Sequence, residues 1–95
     1  MHKQVFAVRD GKAEAFLEPI FIENVQMAQR AILSCLRNPN HNFAMFPQDF
    51  ALYHIGTWDA TLGALDSMTP ELVCTVDELM QLHRSEATRQ QMLDF

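Results

Sequence analysis

The chain has 95 residues, 48% of them hydrophobic, and a formal net charge of −5. That size fits one domain, 1–95, with a single modest core, and the apolar share excludes a mostly disordered chain. There is no run of about 18 apolar residues that would read as a membrane span, and MHKQVFAVRD lacks the apolar stretch and cleavage site of a signal peptide.

The charge is uneven. Residues 1–37 hold five basic and four acidic side chains, whereas residues 38–95 hold two basic and eight acidic ones. Nucleic-acid binders need a basic footprint, because phosphate contacts supply most of their affinity. Any such footprint here must be local and N-terminal. Cys35 and Cys74 have no CxxC spacing and read as reduced, small core residues.

Lys3–Arg9 (KQVFAVR) reads as a strand with apolar side chains on both faces, covered on both sides or meeting a second subunit. Asp10-Gly11 is a turn signal. Residues 13–17 read as an edge strand and 20–22 as an extended segment. Pro19 lies between them and cannot donate a ladder hydrogen bond.

Asn24 is a good N-cap. Val25, Ala28, Ile32 and Cys35 or Leu36 then repeat at helical spacing, and Asn38-Pro39-Asn40 ends that helix. His41–Asp49 reads as a loop whose Phe43, Met45 and Phe46 pack down onto the core or meet a partner. Phe50–Trp58 is the clearest strand. Strict alternation puts Tyr53, Ile55 and Thr57 on one face and Leu52, His54 and Trp58 on the other. Gly56 suggests a bulge or a close backbone approach. Asp59–Gly63 is a turn, and Ala64-Leu65 starts a returning strand. Thr69-Pro70 reads as a break before the short segment 72–74. Thr75 and Glu78 fit a capping box opening a last helix, with residues 88–95 as a fraying tail.

His2, His41, His54 and His83 share no metal-ligand spacing. His54 reads as a half-buried sheet histidine. There is no nucleophile elbow, phosphate loop or dinucleotide fingerprint, and no cofactor is expected. The chain therefore reads as non-enzymatic. Phe6, Phe16, Phe21 and Trp58 could stack bases, with Lys3, Arg9 and Lys12 on phosphates. The commoner use of such rings in a domain this small is the core.

Three blocks together resemble the small nonstructural protein of gokushovirus-type microviruses, which are single-stranded DNA phages. Asp10, Lys12, Ala13, Glu14, Ala15, Phe16, Pro19 and Phe21 carry the first block. Asn38, Pro39, His41 and Phe43 carry the second. Asp49, Phe50, Leu52, Ile55, Gly56, Trp58, Asp59 and Gly63 carry the third and most specific one. The resemblance implies a protein of the host bacterial cytoplasm, absent from the virion. It implies support of genome replication, or of its coupling to packaging, with DNA binding attributed to some members.

The expected fold is α+β: an antiparallel sheet of about four strands with two helices on one face, close to ββαββα. If the protein touches DNA, Lys3, Arg9, Lys12, Arg30 and Arg37 are the expected contacts. The uncovered sheet face, bearing Tyr53 and Ile55 or Leu52 and Trp58, is the expected homodimer surface. An alternative is an interaction module whose acidic C-terminal half redirects a phage or host replication protein.

Overall fold

The computed structural model describes the backbone of residues 1–93 and the side chains of residues 1–85. The elements are β1 (His2–Asp10), β2 (Ala15–Phe16), β3 (Ile20–Ile22), α1 (Val25–Leu36), α2 (Asn42–Met45), β4 (Phe50–Asp59), β5 (Ala64–Thr75) and α3 (Val76–Leu93). A 3-10 turn at Pro47–Asp49 precedes β4. This is the expected α+β order. One antiparallel sheet runs β2-β1-β4-β5, with β3 also on β1.

β1 is the inner strand on which the others assemble. Along one side it pairs with β4 from His2↔Asp59 to Asp10↔Phe50. Along the other it pairs with β2 at Arg9 and Asp10, and with β3 at Gln4–Phe6. Pro19 falls in the gap between β2 and β3, where no ladder donor is needed. The β1–β2 turn is tied down twice. Asp10 Oδ1 accepts from Lys12 N (3.0 Å) and Ala13 N (3.3 Å), and Gly11 N donates to Asp49 O at 2.7 Å.

α1 starts as its sequence requires, with the Asn24 side chain accepting from Met27 N at 2.9 Å. It buries Ala28, Ile32 and Leu36. α3 opens on the capping box: Glu78 N donates to Thr75 Oγ1 (3.1 Å) and Thr75 N to Glu78 Oε2 (3.3 Å). The core lies between these helices and one face of the sheet, where Phe6, Val8, Phe50, Leu52 and Cys74 meet Val76 and Leu79. The segment expected as a loop folds α2 and the 3-10 turn instead. It buries Phe43 but leaves Met45 and Phe46 exposed. α3 continues past the helix end expected at Ala87. Asp94 and Phe95, part of the tail expected to fray, lie outside the described residues.

Three features of β4 and β5 depart from strict alternation, one of them Val73, unpaired between Leu72, which faces Tyr53, and Cys74, which faces Leu52. On β1, Val5 faces Gly56 and Phe6 faces His54, so Ile55 is an extra residue in β4. On β5, His54 faces Glu71 and Gly56 faces Ser67, so Met68, Thr69 and Pro70 bulge opposite that same point. The expected break at Thr69-Pro70 is thus a bulge inside one continuous strand. Pro70 is tolerated because β5 is at the sheet edge, and a bulged edge resists pairing with foreign strands.

Beyond β4, the Asp59 carboxylate turns the chain, accepting from Thr61 N at 2.9 Å and Leu62 N at 3.3 Å. Desolvation pushes its pKa up. The two amides and the nearby positive charges of His2 and the N-terminus outweigh that and hold it below the usual carboxylate value. The turn closes on Gly63 at φ 65°, the left-handed conformation glycine favours.

Gly56 is buried against the β5 backbone, and a Cβ there would collide with the Asp66 carbonyl oxygen. Relief would require a backbone shift, because the obstacle is not a flexible side-chain end. Gly56→Ala should destabilise the fold by about 1–3 kcal/mol, the usual cost of overpacking. Urea unfolding measures this; a midpoint equal to that of the unaltered protein would contradict the close approach.

Candidate nucleic-acid interface

Side chains at directly paired positions of an antiparallel ladder lie on the same face, and successive residues alternate. The even positions of β1, with Phe6 and Val8, face the helices. The odd positions, Lys3, Val5, Ala7 and Arg9, face the other way, outside the helix-side core of the described residues. Val5 and Ala7 are each only 2% exposed, yet neither belongs to the helix-side core.

Four aromatic rings share that open face. Phe16 pairs with Arg9, Phe21 with Val5, Tyr53 with Ala7 and Trp58 with Lys3. They form two edge-to-face couples. Phe16 and Tyr53 have ring centroids 5.4 Å apart at 81°, and Phe21 and Trp58 are 6.0 Å apart at 87°. Phe16 and Phe21 each remain 43% exposed. Leu65 and Leu72, paired with Trp58 and Tyr53, extend the face onto β5 and are exposed.

The bulge corrects the alternation expected for β4. The extra Ile55 places Trp58 on the face of Tyr53 and turns Thr57, paired with Gln4, to the helix side. Leu52 is also corrected as an interface residue. It is fully buried among the helix-side core residues and has no surface to offer a partner. Ile55 itself stands at the bulge, half-buried. Of the rings weighed as core or stacking surface, Phe6 is core, while Phe16, Phe21 and Trp58 lie outside it.

The same register sorts the charges. Lys3 and Arg9 are the Lys and Arg residues at paired sheet positions, and both are on the open face. Asp10, Asp59, Asp66 and Glu71, the carboxylates at paired positions, all fall in register with the helix side. The other expected DNA contacts are dispersed. Lys12 is exposed in the β1–β2 turn, next to Arg9's end of the face, while Arg30 and Arg37 are exposed on the α1 side of the sheet.

The remaining chemistry-bearing side chains do not converge. Among the described residues no group of three His, Cys, Asp or Glu side chains is placed to hold a metal ion. His54 stacks on Phe6, with centroids 5.0 Å apart, and its Nε2 is buried without a hydrogen-bond partner. His41 caps α2 through Nδ1, which accepts from Phe43 N at 3.0 Å. Burial pushes the Cys74 thiol pKa up. A hydrogen bond from Gln29 opposes the shift and the Glu78 charge adds to it, so this sulfur is not set up as a nucleophile. An apolar cavity of about 220 Å³ lies between β1 and α1, lined by Val8, Leu17, Ile20, Ile32, Cys35 and Phe43 among others. No helix among the described residues is long and apolar enough to cross a membrane.

A family model described as Phage ORF5 protein matches residues 3–79. The chain belongs to this phage protein family. The matched segment includes every strand, α1 and the first turn of α3, and therefore all four rings, Lys3 and Arg9. No curated protein and no solved structure matches the chain significantly.

If the four rings are surface rather than core, truncating them should cost little stability. Leu52→Ala should cost about 2–5 kcal/mol, the range for a buried Leu. Phe16→Ala and Phe21→Ala should each cost markedly less. Chemical denaturation compares them, and equal losses would mean that these rings carry the fold.

Proposed function

We propose that this phage accessory protein binds single-stranded DNA on its open sheet face, with no enzymatic step of its own. It would thereby support synthesis of the single-stranded genome, or its coupling to packaging, in the cytoplasm of a host infected by a gokushovirus-type microvirus. The observation that carries the reading is the charge sorting by register. A chain of net charge −5 presents one face with four rings, two cations and no carboxylate at a paired position. Single-strand binders combine these two elements: rings on which bases stack, and cations that follow the phosphates. Lys12, at the end of the face, would add to the phosphate path. The phage family membership and the resemblance in residues 4–65 supply the biological setting.

Self-association through this face suits it less well. A second copy laid on it would bring Lys3 and Arg9 against the same two cations, with no carboxylate among the paired positions to meet them. A homodimer, if it forms, would use another surface. The alternative, a module that occupies a basic site on a replication protein, is supported by the four carboxylates gathered on the opposite register. Pull-down with the phage or host replication proteins separates it from DNA binding.

The test is a titration of single-stranded DNA at several salt concentrations. Lys3→Ala and Arg9→Ala should each weaken binding and lower the salt slope by about 0.7, the value for one phosphate on a single strand. Arg30→Ala and Arg37→Ala, on the other side of the sheet, should leave both unchanged. Equal effects from all four would refute the assignment of the face, and an absence of binding at low salt would refute the function.

A further inference from the structure

Resting on that reading, we propose that the open face is divided into two separate base-stacking subsites. One is Phe16–Tyr53 with Arg9, the other Phe21–Trp58 with Lys3. A single strand must reach both to bind fully, running along β1.

The register sets the geometry. Tyr53 lies opposite Ala7 and Trp58 opposite Lys3, four residues apart on β1. Phe16 lies opposite Arg9 and Phe21 opposite Val5, again four residues apart. At ~3.3 Å per strand residue, corresponding rings of the two couples stand about 13 Å apart along β1. Along β1 the rings alternate sides, Phe16 at Arg9, Tyr53 at Ala7, Phe21 at Val5 and Trp58 at Lys3, and the ring contacts join them two by two, Phe16 with Tyr53 and Phe21 with Trp58. The ring contacts therefore divide the face into two couples, each an island of two rings in edge-to-face contact. The two rings of each couple brace each other near perpendicular, so the stacking surface is formed before DNA arrives.

The cations mark the two ends. Lys3 pairs with Trp58 in one island, and Arg9 pairs with Phe16 in the other. They are six residues apart on β1, about 20 Å at the strand rise. A strand with one base on each island and phosphates near each cation needs about four nucleotides, the lower end of the site sizes of single-strand binding domains. Two weak subsites joined by one ligand behave as a bivalent pair, so affinity should rise in a step once a strand can bridge them.

Trp58 is the only tryptophan of the chain, so its fluorescence reports on one island alone. Oligothymidylates from about two to about ten nucleotides are titrated against the full chain, with Trp58 quenching as the readout. Affinity should climb steeply near four nucleotides and flatten beyond. Tyr53→Ala should leave long strands able to quench Trp58, but about tenfold or more weaker, close to the affinity of the shortest strands. Tyr53→Phe keeps the ring and should keep the step, and circular dichroism verifies that both variants fold.

A smooth rise with length would overturn the two-subsite arrangement while leaving single-strand binding intact. So would a Tyr53→Ala variant that retains the step. Loss of both quenching and gel shift with every strand would instead refute the DNA reading itself. Light scattering that shows a dimer undisturbed by DNA, with Trp58 shielded from acrylamide, would assign the face to a second copy and overturn both.

Discussion

Between Val5 and Phe6 the register of β1 against β4 slips by one residue, leaving Ile55 without a partner on β1. A one-residue slip reverses the facing of every side chain beyond it. Below the bulge, Leu52 faces the helices and Tyr53 the open side; above it, Trp58 joins Tyr53. Without the extra residue, the tryptophan would point toward the helix layer and Thr57 would take its place outside. The neighbouring strand follows suit. Gly56 lets β5 approach closely, and Met68–Pro70 bulge opposite the same point. The sheet thus keeps two faces of different chemistry along its whole length.

Those faces are unequally covered. Two helices close one side and bury Leu52, Val76 and Leu79 with little exposure. That arrangement uses most of the aliphatic core that a domain of this size can assemble. On the other side, Val5 and Ala7 are buried, and Phe16, Phe21, Tyr53 and Trp58 occupy the positions paired with that face. Burying a valine fully contributes about 1.5–3 kcal/mol, so the burial of Val5 strengthens β1. The rings paired with that face remain partly open to solvent.

Much of the local structure was legible in the residues. Asn24 caps α1, and Thr75 with Glu78 opens α3, because each places a side-chain acceptor beside unsatisfied helix amides. Pro19 divides the edge strand, and Asp59 with Gly63 makes the turn. Gly56 signalled the bulge or close approach. What alternation alone could not reveal was the side to which the residues after Gly56 turned, since that depends on which residue the partner strands skip. Thr69-Pro70 was misleading for a related reason. A proline breaks a central strand, but at an edge it costs no ladder bond.

The candidate interface was legible by half. Lys3 and Arg9 have the same parity on one strand, so the sequence by itself determined that they share a face. It also determined the α+β class, the two principal helices and the concentration of acid in the C-terminal part. Only the tertiary structure decided that Phe16, Phe21, Tyr53 and Trp58 gather around those cations and that Leu52 does not. The sheet carboxylates likewise fell to the opposite face only through pairing. Facing within a strand is a local property of the backbone, whereas facing across strands is set by register, and register here turns on the unpaired residues, Ile55 between β1 and β4 above all.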